Sequence, residues 1–373
     1  MRVKGLDMLR GVAILMVLFR HAHFPEDNLL VFIGWAGVDL FFVLSGFLVS
    51  GLLFREYQRH QKLRVGRFLL RRGFKIYPTF FFFLAVSIPL KLFYWHEPVS
   101  WPEFLAEFFF LQSYLPHVWG HTWSLAVEEH FYLAIALIAF IAAWSRSLQR
   151  KWIWLPLWIG ACLLAFYIRA KWAYAFREFP MIVIFKTHHR MEGLIIGLLI
   201  SYLYYFSPGF APWLTRNRRM VLLTSLALIS PLFFWAGGSY LMTAYGHTLI
   251  HWGFAGLILL TVVSDWFDNI HENPYSAPFA KTLAWIGVYS YAIYVWHLFV
   301  RHVEDKIGGD GLTYESAYLL LSIFLGAFLS WLIEYPLLRV RDRLFPRPAQ
   351  AKLDEPNASE AEDQKNQPAQ SAG

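Results

Sequence analysis

GWAGVDLFFVLSGFL, residues 34–48, lies inside an apolar run that extends from 33 to 53. A bilayer core about 30 Å thick takes roughly 20 residues of α-helix to cross, and this run is long enough. Its apolar residues are continuous rather than alternating, which suits a helix and excludes a strand of a membrane barrel. Asp39 interrupts the run, and Ser45-Gly46 provides a small patch where another helix can approach closely. Further segments of the same kind fall near 8–24, 76–95, 123–143, 152–170, 190–206, 220–237, 246–263, 283–303 and 314–333. The expected fold is therefore an all-α integral membrane protein with about ten transmembrane helices. A shorter stretch, PEFLAEFFFLQSYL (102–115), is suited to lying at the interface or re-entering.

Composition agrees. Of 373 residues, 57% are apolar and 16% charged, where a soluble domain carries about 25% charged residues. Mean hydropathy is +0.41. The net charge of +7 does not point to nucleic acid, because the basic residues sit between the apolar runs, as in cytoplasmic loops. With the N-terminus inside, the inner segments hold roughly three-quarters of the 33 Lys and Arg residues, the bias that the positive-inside rule requires. Both termini are then cytoplasmic, and the outer loop 169–190, with five positive residues, fits least well. Met1 to Leu18 has the basic-then-apolar order of a signal peptide without a small-residue cleavage site, and reads as a retained first helix. A membrane domain over 1–345 is followed by a polar, aperiodic segment, 346–373, expected to be a disordered cytoplasmic tail. Cys162, the one cysteine, allows no intrachain disulfide and lies in an apolar run where a packed thiol is the ordinary reading. No internal repeat is evident, which counts against transporters built from repeated halves.

Ionisable residues inside spans are expensive, and each is a candidate for function. Arg10 and His21 are eleven residues apart, hence on nearly one face of the first helix and about 16 Å apart along its axis. A snorkelling Arg10 and an interfacial His21 are the alternative. Asp39 needs a counter-charge, and a histidine or arginine of the first helix is the natural candidate. Ser45 reads better as a small residue at a helix crossing than as a nucleophile. Arg55, Arg59, Lys62, Arg64, Arg67, Arg71, Arg72 and Lys75 form the densest basic run. It exceeds what topology needs, and it suits either anionic lipid or a phosphorylated cytoplasmic ligand. The fourth span opens HTWSLAVEEHFYL (121–133), with Glu128 and Glu129 inside an apolar helix and Tyr132 four residues after Glu128. Adjacent carboxylates point apart, so one of the two is expected to be internal. The pairs His117/His121 and His247/His251 have helical spacing but lack the accompanying ligands of a metal centre, and no metal is expected. His297, in YSYAIYVWHLF, suits a core histidine or a substrate contact equally, and Glu334 suits a structural tie to Arg339 or a loop.

Taken together these residues resemble the acyltransferase 3 family of membrane acyltransferases. The resemblance rests on LDMLRG through His21, GVDLFFVLSGFL (37–48), RFLLRRGFKIYP (67–78), TWSLAVEEHFYL (122–133), RMEGLIIGLL (190–199), SYAIYVWH (290–297) and EYPLLR (334–339). Lys75 stands where an arginine is usual and His130 where glutamine is common. The resemblance implies transfer of an acyl group, usually acetyl, from cytoplasmic acyl-CoA to a hydroxyl of an extracytoplasmic carbohydrate. No bound cofactor is implied; acyl-CoA is a co-substrate. It also implies a bacterial inner-membrane protein in the form that lacks a C-terminal esterase-like domain. In that scheme Arg67, Arg71, Arg72 and Lys75 hold the phosphates of coenzyme A, with Arg10 nearby. His21 is the general base, Asp39 or Glu128 orients or charge-stabilises it, and Trp123, Tyr294 and His297 face the sugar. A glycolipid transporter or flippase is the alternative, and it would not depend on acyl-CoA.

The orientation is testable. In a Cys162→Ala background, a cysteine placed at Gln61 is expected to react only with membrane-permeant thiol reagents in intact cells. Equal reaction with an impermeant reagent would invert the topology.

Overall fold

The computed structural model describes residues 3–25, 27–145, 151–179, 184–264, 266–308 and 311–345. The segment 346–373, expected to be a tail, lies outside the described residues. Among those described there is no strand. The helices are α1 Lys4–His21, α2 Leu29–Ile33, α3 Ala36–His60, α4 Val65–Pro89, α5 Trp101–Phe108, α6 Trp123–Trp144, α7 Lys151–Ala175 and α8 Thr187–Arg190. They continue with α9 Glu192–Phe206, α10 Phe210–Arg216, α11 Arg218–Ile229, α12 His247–Val263, α13 Trp266–Glu272, α14 Ala277–Ile307, α15 Leu312–Leu329 and α16 Tyr335–Leu344.

Seven of these, some extended by a neighbouring turn, are long and apolar enough to cross a membrane. The pair α9 and α10, bent by 101°, makes an eighth if counted as one span. The expected ten differ from this at two places. Helix α1 has the position expected of a first span, but its 18 residues carry Lys4, Asp7, Arg10 and Arg20. The segment near 220–237 is divided, because the 12-residue α11 passes into a 3-10 turn at Ser230–Phe233 that contains Pro231. Pro89 similarly precedes a π turn, Leu90–Tyr94, as expected where a missing N–H interrupts the helical ladder. Helix α5 begins at a capping box, with the Ser100 N–H donating to Glu103 Oε2 at 2.8 Å and the Glu103 N–H donating to Ser100 Oγ at 3.4 Å.

The outward face of the bundle is apolar. Leu137, Phe140 and Trp144 of α6 and Leu320, Phe324 and Phe328 of α15 are all exposed, as lipid contact allows and water would not. Between helices, lipid supplies no hydrophobic drive, so close backbone packing carries association. Two glycine-lined crossings do this. Gly11 and Gly287 place α1 against α14, where an added methyl would overlap the carbonyls of Leu283 and Asp7 respectively. Gly46 and Gly197 place α3 against α9, where it would overlap the carbonyls of Leu194 and Val43. These crossings set α1, α3, α9 and α14 at the centre, with Ile14, Leu18, Val43, Leu194 and Ile293 in the shared core.

Gly197→Val is expected to cost about 1–3 kcal/mol, the usual penalty of overpacking, and to lower the unfolding midpoint in detergent. Gly160→Ala has no neighbour within 4 Å of the added carbon and, inside helix α7, should leave the midpoint unlowered or raise it slightly. Equal behaviour of the two variants would mean the α3–α9 crossing is not close-packed.

Candidate active site

One end of α1 carries His21, and three imidazoles gather there. The His21 and His297 rings, the latter on α14, meet edge to face with centroids 5.1 Å apart, and His121 meets His297 in the same manner at 4.9 Å. The backbone of α14 decides the state of two of them. His297 Nδ1–H donates to the Tyr294 carbonyl at 2.6 Å, and His121 Nε2–H donates to the Val295 carbonyl at 3.0 Å. A carbonyl oxygen only accepts, so each ring keeps its proton on the bonded nitrogen. The nitrogens left over, His297 Nε2 and His121 Nδ1, are buried and unpartnered, as is His21 Nδ1. Phe83 lies against both His121 and Trp296 and walls this group.

Toward the other end of α1 lies a group of opposite character. Ser45 Oγ donates to Glu128 Oε1 at 3.0 Å and Tyr132 Oη donates to Glu128 Oε2 at 2.5 Å. The Arg72 guanidinium stands 4.2 Å over the Tyr132 ring, and both Arg10 and Arg72 lie within electrostatic reach of Glu128. Glu129 was expected to point away if Glu128 is internal, but both are turned inward. Tyr77 Oη reaches across from α4 to donate to Glu129 Oε1, and Arg72 acts on both carboxylates.

The basic residues of α4 are unequal. Lys75 forms an ion pair with Glu334, so Glu334 ties to α4, where a tie to Arg339 or a loop was expected. Arg71 pairs with Asp342 at 2.9 Å and also donates to the Phe345 carbonyl. These two cations already hold acidic partners, whereas the Nε of Arg72 is buried without one. Arg67 is partly buried on the same helix.

A third group surrounds Asp39, and it corrects the expectation that the partner of Asp39 comes from α1. Asp39 Oδ1 lies 2.9 Å from Arg190 Nη2, 2.8 Å from His251 Nε2 and 3.3 Å from His247 Nδ1. The chain continues through His251 Nδ1, 3.5 Å from Glu192 Oε2, to the ion pair of Glu192 with Arg169 of α7. The reason is the α3–α9 crossing, which carries Asp39 toward α8, α9 and α12. Among the described residues, no hydrogen bond or ion pair joins His21 to Asp39 or to Glu128. Asp39, His247 and His251 present ligand atoms within 4.8 Å of one another, a spacing that a cation could use. Arg190, however, sits on both Asp39 and His247, so a permanent positive charge already occupies that role.

The three residues expected to face a sugar are divided. Tyr294 and His297 belong to the imidazole group, where Tyr294 Oη donates to the His121 carbonyl at 2.9 Å. Trp123 packs instead beside the Asp39 group, its ring 5.4 Å from the Arg190 guanidinium. The sequence offered His121 only as a partner of His117 and gave no site role to Arg190, Arg169 or Glu107. For Arg190 and Glu192 the signal was a charged pair opening an apolar segment.

The model of a family described as an acyltransferase domain matches residues 3–335. The chain is similar to the peptidoglycan O-acetyltransferase OatA of Listeria monocytogenes, with 28% identity over 319 residues, covering 79% of this chain and 49% of that protein. It is also similar to the O-acetyltransferase OatA of Staphylococcus aureus, with 26% identity over 320 residues and the same two shares. The chain thus spans about half the length of the curated relatives it matches. No solved structure matches it.

Removing one partner from a buried ion pair strands the other. Asp39→Ala should therefore destabilise the detergent-solubilised protein by about 3–5 kcal/mol. Removing the cation as well, in Asp39→Ala/Arg190→Met, should recover part of that loss. A single variant that unfolds like the wild type would mean the Asp39 group contributes no net stability.

Proposed function

Since this chain belongs to the acyltransferase 3 family, we propose that it moves an acetyl group from acyl-CoA to a hydroxyl of a cell-wall glycan. The donor is handled at the inner membrane face and the acceptor at the outer. The observation that carries this reading is the division of α1 between two buried groups of different chemistry. At one end Arg10 and Arg72 stand with Glu128, positive charge suited to the phosphates of coenzyme A. At the other, about 16 Å away by helical rise, His21 belongs to a group of imidazoles suited to handling a hydroxyl proton.

The step balances simply. The acceptor oxygen attacks the thioester carbonyl, the new C–O ester bond forms and the C–S bond breaks. The hydroxyl proton passes to the His21 imidazole and then to the departing thiolate. Ester leaves on one side and free coenzyme A on the other, and the histidine is returned neutral. Neither Asp39 nor Glu128 touches His21, so the proposed role of each is indirect. Asp39 holds the helices that surround the site, and Glu128 balances the cations of the donor end. Arg72 is the leading phosphate contact in this proposal, because Lys75 and Arg71 must leave Glu334 and Asp342 to take that part. Support for a glycan acceptor comes from relatives named for acting on peptidoglycan.

The test is incorporation of label from radiolabelled acetyl-CoA into glycan fractions of membranes holding wild type or His21→Ala. Loss of a general base should reduce incorporation by about 10²–10⁴-fold at equal protein in the membrane. Equal label in both would remove His21 from the chemistry, and label in neither would overturn acyl transfer from acetyl-CoA.

A further inference from the structure

The step just described uses His21 and leaves His121 idle. His121 lies on no helix. It sits in HVWGHT (117–122), the connection between α5 and α6. Such a segment, with Gly120 in it, does not hold a side chain in place by itself.

Glu107 holds it. This carboxylate, on the last turn of α5, is wholly buried. Its Oε1 accepts three hydrogen bonds from this one segment: from the N–H of Val118 at 3.2 Å, the N–H of Trp119 at 3.1 Å and the Thr122 hydroxyl at 2.8 Å. Two further bonds complete the clamp. Gln112 Nε2 donates to the Thr122 carbonyl at 3.1 Å, and the Tyr294 hydroxyl donates to the carbonyl of His121 itself. The result is an imidazole fixed against His297, with its proton on Nε2 and a bare Nδ1. His297 mirrors it with a bare Nε2. Two buried acceptors without donors are costly by themselves. They suit a ligand that brings O–H groups, and adjacent hydroxyls are what a carbohydrate offers.

We propose that His121 and His297 form a second hydroxyl-binding face for the carbohydrate acceptor, and that Glu107 is the positioning residue that sets His121 in it. The inference rests on the acyl-transfer reading and extends it to acceptor recognition. His21 takes the proton of the reacting hydroxyl, while His121 Nδ1 accepts a hydrogen bond from a neighbouring one. What the segment requires of Glu107 is an oxygen acceptor more than a charge. Burial pushes this carboxyl, which lies outside the spanning helices, up to about 7 against the pull of its bonds from Thr122, Trp119 and Val118. A glutamine oxygen can take the same three bonds.

The experiment titrates the glycan fraction that the wild type labels, at fixed radiolabelled acetyl-CoA, for wild type, His121→Ala, Glu107→Leu, Glu107→Gln and His121→Ala/Glu107→Leu. His121→Ala and Glu107→Leu should each raise the half-saturating glycan concentration about tenfold. The KM for acetyl-CoA should stay within about twofold. Glu107→Gln should lie within about threefold of wild type, and the double variant should be no worse than His121→Ala alone, because both changes remove one interaction. Unchanged glycan dependence in His121→Ala, a Glu107→Gln as impaired as Glu107→Leu, or additive losses would each overturn the inference while acyl transfer stands. If Glu107→Leu fails to accumulate, His121→Ala and Glu107→Gln decide. Absence of label with wild type would overturn the acyl-transfer reading, and this inference with it.

Discussion

A charge on a helix inside a membrane has no water to answer it, so another helix must supply its partner. Asp39 shows how far that requirement reaches. One carboxylate oxygen meets Arg190, His251 and His247, and through His251 the series extends to Glu192 and Arg169. Helices α3, α7, α8, α9 and α12 are joined by it. The pairing is possible only because Gly46 and Gly197 let α3 and α9 meet backbone to backbone. A side chain at either position would part the helices and leave full charges in an apolar medium. Packing and electrostatics thus depend on the same two residues.

The same logic orders the two ends of α1. Its crossing with α14 through Gly11 and Gly287 brings His21 beside His297, and α14 supplies the carbonyls of Tyr294 and Val295 that fix which nitrogen of two imidazoles carries its proton. At the end of α1 away from His21 the acidic side chains Glu128, Glu129 and Glu334 are distributed among Arg10, Arg72 and Lys75. One helix therefore connects a group that can trade protons with a group that can hold an anion.

Much of this was legible in the chain. The apolar runs located the helices, the basic run 55–75 marked one end, and His21, Arg10, Glu128 and His297 stood out as ionisable groups where none should be. Spacing also found local pairs, such as Tyr132 with Glu128 four residues earlier. Partners far apart in sequence were not legible. Asp39 was assigned to the wrong helix, Glu334 to Arg339 or a loop instead of Lys75, and only one of Glu128 and Glu129 to the interior. The number of spans was read as about ten, where seven or eight pass by length and composition. The charges of α1 and the turn at Pro231 are not visible to a count of apolar residues alone.

Hydropathy and charge by themselves determined that this is a helical membrane protein and which ionisable residues it must account for. Transfer free energy is a property of each side chain and its near neighbours, so a linear reading captures it. Tertiary structure alone decided the pairing: which cation answers Asp39, which carboxylate occupies Lys75, and that His121, carried on an irregular segment braced by Glu107, completes the imidazole group. Those choices depend on which helix backbones can approach within contact, and that distance is a property of the packed bundle and of no segment within it.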